Sequence, residues 1–150
     1  MAKVVDVKVT LLLADAAEAV NGKLYILGGG WSVMGPDPAP MAIAIKIEVP
    51  WDRGNDVHKL QLRLVDADGQ PVLAESPDGE VPVVLDADFE TGRPAGVRPG
   101  TPLDLTMAVT LGPLPLAPAS RYEWRLSIDG KEDDEWRVAF STRPEASTGG

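Results

Sequence analysis

Cysteine is absent from the chain, which excludes disulfides, thiolate metal sites and thiol nucleophiles and is compatible with a reducing cytoplasm. Histidine occurs once, at His58, so any catalytic triad or histidine-ligated metal has to be built on it. Cations are scarce. Fourteen Lys and Arg stand against 23 Asp and Glu, a formal net charge of -9. Nucleic acids and anionic membrane surfaces are held chiefly through Lys and Arg clusters, so neither is expected as a partner. No stretch approaches the roughly 18 apolar residues of a membrane span. The apolar run Val9–Ala14 follows Asp6 and Lys8 and is shorter than the roughly 7–15 residues of a secretory core segment, so a soluble, cytoplasmic protein is expected. Helical patterns of about 10–15 residues between strands are also missing, which argues against a parallel α/β sheet.

What the chain does contain is alternation. In Arg121–Thr142, Tyr122, Trp124, Leu126 and Ile128 alternate with Glu123, Arg125, Ser127 and Asp129. This is the period of two of a strand with one buried face. Trp136, Val138 and Phe140 answer it in a second arm, and the polar run Asp129–Glu135, opened by Asp129-Gly130, has the chemistry of a hairpin loop. Large aromatics bury the most area per side chain, so Tyr122, Trp124, Trp136 and Phe140 are read as structural and this hairpin as the centre of the core.

The same pattern recurs along the chain. Val5, Val7, Val9, Leu11 and Leu13 give a first strand, and Asp15–Val20, the one helix-like patch, reads as a turn or a single helical turn before Asn21-Gly22. Lys23–Leu27 is a second strand, ended by Gly28-Gly29-Gly30, and Pro36, Pro38 and Pro40 make an extended connection. Further strands are expected at Met41–Val49, His58–Asp66, Val72–Ala74, Val81–Phe89 and Leu103–Leu111, and Glu90–Gly100 reads as a crossing between sheets. With 150 residues the chain is one domain by size, able to bury roughly 70% of its unfolded surface. The expected architecture is an all-β, antiparallel, immunoglobulin-like β-sandwich of about eight or nine strands over residues 1–145, with a disordered tail over 146–150.

Two resemblances support that expectation. Leu116-Ala117-Pro118-Ala119-Ser120-Arg121-Tyr122 has the L-x-P-x-x-x-Y form and resembles the tyrosine corner of fibronectin type III and other immunoglobulin-like sandwiches. ADAAEAVNGKLYILGGGW, EVPWDRGN, GRPAGVRPGTPLDL and RYEWRLSIDG resemble an uncharacterised family of small actinobacterial and phage-associated proteins known only as a domain of unknown function. That resemblance implies an immunoglobulin-like fold and supplies no catalytic residue.

Candidate chemistry is thin. Gly28-Gly29-Gly30 lacks the Gly-Lys-Ser/Thr and the helix of a phosphate loop and reads as a strand bulge. His58 shares its spacing with Leu60, Leu62 and Leu64, the position of an edge or core histidine, and no G-x-S-x-G elbow accompanies it. Asp66–Asp68, Asp86–Glu90 and Asp133–Glu135 are acidic turns, and none completes a calcium-binding loop. Trp31 and Trp51 stand at loop edges, where they either cap the core or offer a sugar or protein contact.

The residues therefore point to a non-enzymatic protein-interaction or assembly module without cofactor or metal. Its expected partner is a protein, with a second copy of the chain among the candidates. Lys23–Leu27 is the expected free edge, and Tyr25, Leu27, Trp31 and Trp51 are the candidate contacts. Two other classes stand beside it. One is a small-ligand or carbohydrate-binding sandwich using Trp31 and Trp51. The other is a carboxylate-dependent hydrolase, which requires two opposed carboxylates in a pocket.

Overall fold

A computed structural model describes residues 7–146. Val5 and the tail residues 147–150 lie outside the described residues. The alternating segments become β1 (Lys8–Val20), β2 (Lys23–Gly29), β3 (Val33–Met34), β4 (Met41–Val49), β5 (Val57–Asp66), β6 (Leu73–Ser76), β7 (Gly79–Pro82), β8 (Val84–Glu90), β9 (Leu103–Leu111), β10 (Arg121–Ile128) and β11 (Lys131–Thr142). One 3-10 turn, Trp51–Arg53, interrupts them.

The strands form an all-β sandwich. One sheet runs β2-β1-β4-β9 and is antiparallel throughout; the other runs β3-β11-β10-β5-β8 and is antiparallel except where β3 lies parallel to β11. Between them lies the core. Leu13, Ile43, Ile45, Ile47 and Val49 from the first sheet meet Leu60, Leu62, Leu64, Trp124, Leu126 and Phe140 from the second, all almost fully buried. Alternation selects these residues because a one-residue slip would turn every one of them to solvent. The Glu90–Gly100 segment crosses from β8 in one sheet to β9 in the other, as its glycines and prolines suggest.

Tyr122 stands where the chain enters the second sheet. It opens β10, and its hydroxyl accepts a hydrogen bond from the Ala117 N–H at 2.7 Å. Thr142 closes the same junction from β11, accepting from the Ser120 N–H and donating to the Ala117 carbonyl.

Four details differ from the sequence expectation. Among the described residues there are eleven strands rather than eight or nine, because the two-residue β3 is too short to show a period and the segment read as one strand at Val81–Phe89 is two, β7 and β8. Asp15–Val20 is neither turn nor helix but the second half of β1, paired with β2 from Ala16↔Leu27 to Val20↔Lys23. The turn of the β10–β11 hairpin is Asp129-Gly130 alone, with φ of 52° and 78°. Asp133–Glu135 is absorbed by an irregularity in β11 between the pairs Ser127↔Glu132 and Arg125↔Arg137. Finally, Val81–Phe89 divides at Val83. Its N–H donates to Val72 and its carbonyl accepts from Leu64, which pins that residue between β5 and the β6–β7 ribbon.

Candidate functional site

Asn21 and Gly22 turn β1 into β2 with φ of 52° and 74°, the positive pair that matches the right-handed twist of a hairpin. β4 accompanies β1 only as far as Ala14, so beyond that point β1 and β2 form a two-stranded ribbon. The ribbon bends at Gly28, which has φ of 59°. One of its faces rests on the outer side of the first sheet. Ile26 lies against Gly29 close to Leu12 and Ala14, and the outward-pointing Ala42 and Ala44 are buried.

The opposite face is open to solvent. Cross-strand pairing sets Val20 beside Lys23, Glu18 beside Tyr25 and Ala16 beside Leu27 on that face. Tyr25 is 57% and Leu27 72% exposed. Of the seven large apolar side chains exposed among the described residues, three (Val20, Tyr25 and Leu27) stand here, so this is where apolar surface concentrates. Between the ribbon and β9 runs a groove of about 530 Å³, lined by Ala16, Glu18, Tyr25, Ile26, Leu27 and Thr110 among others.

The two loop tryptophans do not join this surface, and they do not join each other. Trp31 is half-buried and meets Phe140 edge-on, 6.0 Å between ring centroids, at the end of the sandwich where β10 begins. Trp51 stands at the other end, in the 3-10 turn that precedes β5. The Arg93 guanidinium lies 4.9 Å over its ring and donates to its carbonyl oxygen. A sugar platform built from both rings is therefore ruled out by their placement. Trp51 does border an apolar concavity of about 450 Å³ with Lys8, Glu48, Asp52 and Pro102.

His58 is 3% exposed and stacks on Phe89, 5.1 Å between centroids. Its Nδ1 donates to Asp129 at 2.8 Å, while the Lys59 N–H donates to the other oxygen of the same carboxylate at 2.9 Å. Burial works against the Asp129 charge, but these two bonds and the charges of His58 and Lys131 outweigh it and hold the carboxyl below its usual range. The pair ties the β10–β11 turn to β5 and presents no ring nitrogen to solvent.

The acidic turns stay apart. Asp66 accepts from the N–H groups of Asp68 and Gln70, Asp86 is bound by Gln61 on the outer face of β8, and Asp133 accepts from the Glu135 N–H. Among the described residues no three such groups gather as a metal site would require. On the outside of the second sheet Arg63, Arg125 and Arg137 align across three strands, and each has a carboxylate partner in Glu132, Glu123 or Asp134.

The surface residues that periodicity missed are Ala16, Glu18 and Val20. Their signal was Asn21-Gly22 itself, since a two-residue hairpin turn in front of one strand requires another strand behind it.

Residues 9–140 match the model of the family of unknown function DUF6941. The chain belongs to that family. A comparison with curated proteins found no match. Among solved structures, this DUF6941 member is similar to the sensor domain of the anti-sigma factor RsgI4 of Pseudobacteroides cellulosolvens. Identity is 11%, the likeness covers 95% of this chain and 97% of that one, and the TM-score is 0.36. At that score the likeness bears on neither fold nor function. Among the described residues of the DUF6941 chain no helix is long and apolar enough to cross a membrane.

Proposed function

We propose that the chain is a non-enzymatic protein-interaction module whose contact surface is the solvent face of the β1–β2 ribbon. The observation that carries this reading is the cluster of Val20, Tyr25 and Leu27 on the solvent face of the β1–β2 hairpin. Apolar side chains gathered at one exposed place are a feature of interaction sites, and tyrosine is enriched at binding hot spots. The chemistry of the chain supports the non-enzymatic part. There is no cysteine, and the one histidine is buried between Asp129 and Phe89, out of reach of a substrate.

We further infer an immunoglobulin-like arrangement, on the order β1-β4-β9 facing β8-β5-β10-β11 and on the corner made by Tyr122. The cysteine-free composition supports a cytoplasmic setting for this module.

Crosslinking and affinity capture from the native cell test the reading, with wild type beside Tyr25→Lys and Leu27→Asp. A protein captured by wild type and lost from both variants is the expected result. Capture unchanged in both removes the ribbon as the contact surface. Turnover of a glycoside or ester substrate that disappears when one carboxylate is changed would overturn the non-enzymatic reading.

One observation favours a second reading, a small-ligand site. It is the apolar concavity beside Trp51, of the size that holds a small molecule. Quenching of tryptophan fluorescence by a ligand, lost in Trp51→Phe, would establish it.

A further inference from the structure

Four strands end the two sheets: β2 and β9 in one, β3 and β8 in the other. Sheets blunt their edges with short strands, charge and proline, because a free row of N–H and C=O groups invites another chain. β3 is two residues long. β8 carries Asp86, Asp88 and Glu90, and β9 is bracketed by Pro102 and Pro113. β2 has none of these devices beyond Lys23 at its start. It holds no proline and no acid, and it exposes Tyr25 and Leu27.

The groove between the ribbon and β9 takes its lining from both ribbon strands, Tyr25 and Leu27 of β2 among them. Its walls are mostly apolar, and Glu18 is the one charged side chain among the described residues that line it. Peptides added to a sheet edge draw affinity from main-chain hydrogen bonds and specificity from pockets for alternate side chains. Edge and groove meet here at Tyr25 and Leu27.

We propose that β2 accepts an extended segment of another protein as an added strand, and that this segment is basic, with a Lys or Arg laid in the groove against Glu18. The proposal rests on the ribbon being a protein-contact surface. The methylene stem of such a residue lies on Ala16 and Leu27, and its charged head meets Glu18 and the face of Tyr25. The net charge of -9 steers a basic segment inward and repels a second copy of this chain, which selects between the two occupants.

Fluorescence anisotropy on the whole chain tests it with a short labelled peptide alternating valine with arginine and threonine. Its companions are a glutamate-for-arginine counterpart and two versions N-methylated at opposite sets of alternate backbone nitrogens. The arginine peptide is expected to bind about tenfold or more tightly than the glutamate peptide, to weaken with salt, and to lose about three- to tenfold in affinity on Glu18→Gln. One of the two N-methylated peptides, the one whose blocked edge faces β2, is expected to lose binding. Equal binding of the glutamate peptide, or binding by both N-methylated peptides at the parent strength, overturns the proposal. So does self-association in sedimentation that Leu27→Asp abolishes, although the ribbon then remains a protein-contact surface. Peptide failure with variant-sensitive capture from cells sinks only the basic-strand chemistry, whereas capture indifferent to Tyr25→Lys and Leu27→Asp sinks the ribbon reading itself.

Discussion

The carboxylate of Asp15 fills the space in which a side chain on Gly28 would stand. Gly28 also has φ of 59°, so its lack of a Cβ answers two demands at once, the bend of the ribbon and the close passage of the opposite strand. An alanine there would cost about 1–2 kcal/mol for the left-handed backbone alone, before any displacement of Asp15. Gly28→Ala is therefore expected to raise hydrogen exchange across residues 16–27 by about tenfold or more, while the two sheets keep their protection. Unchanged exchange in that hairpin would mean that the bend at Gly28 does not hold it.

Tyr122→Phe removes one hydroxyl and keeps the ring. The Ala117 N–H then loses the partner it has at 2.7 Å, in a part-buried junction, and a loss of about 1–2 kcal/mol is expected in equilibrium denaturation. Trp124→Ala, at a fully buried position, is expected to lose about 3–5 kcal/mol. Equal losses in the two variants would show that the corner is worth a whole core aromatic, against this accounting.

How much of this was legible depends on what each residue pattern encodes. In β4, β5 and β9 Ile, Leu, Val or Met alternate with polar residues or alanine, apart from Val57 and Val65 near the ends of β5, and the inward positions of β4 and β5 are those the period selects. The second half of β1 was not legible by that route. Asp15-Ala16-Ala17-Glu18-Ala19-Val20 has no alternating contrast because its alanines suit either face, and its partner strand lies across a turn rather than within the window. The division at Val83 and the β3–β11 pairing depend on backbone bonds to distant residues, Val72 and Ser141 among them, and leave no local trace. At the candidate site the placement of Tyr25 and Leu27 on an edge strand was readable. That Trp31 and Trp51 stand at opposite ends follows from topology, which periodicity does not contain.

Asp129→Asn isolates the charge in the His58 pair, since asparagine also tolerates the positive φ at this turn. The Asp129 side chain is 39% exposed, so solvent screens the pair and a loss of about 1 kcal/mol at neutral pH is expected. The sign follows from the folded-state carboxyl being held below its usual range: the stability it contributes is present above the unfolded value of about 3.9 and is lost as pH falls through the lower folded value. Wild type and the Asp129→Asn variant should therefore differ at about pH 6, with the gap starting to narrow only below about pH 4 and closing as pH falls through the lower folded value. A gap that stays constant down to the acid transition would separate the effect from the carboxylate.

The last prediction separates Trp31 from the contact surface. Its ring is half-buried and meets Phe140 edge-on, so it covers the end of the core, and its indole nitrogen is buried without a protein hydrogen-bond partner. Removing the ring exposes Phe140, and Trp31→Ala is expected to cost about 2 kcal/mol, less than a fully buried tryptophan because part of the ring already meets solvent. Trp31→Phe keeps an aromatic edge against Phe140 and breaks no hydrogen bond to protein, so it should stay within about 1 kcal/mol of wild type. Tyr25→Lys should reverse the pattern, leaving stability within about 0.5 kcal/mol because the site is exposed, while abolishing capture of the partner. The decisive comparison is denaturation and affinity capture on all three variants. Capture that survives Tyr25→Lys but fails in a fully folded Trp31→Phe protein would move the contact surface from the ribbon to the end of the sandwich.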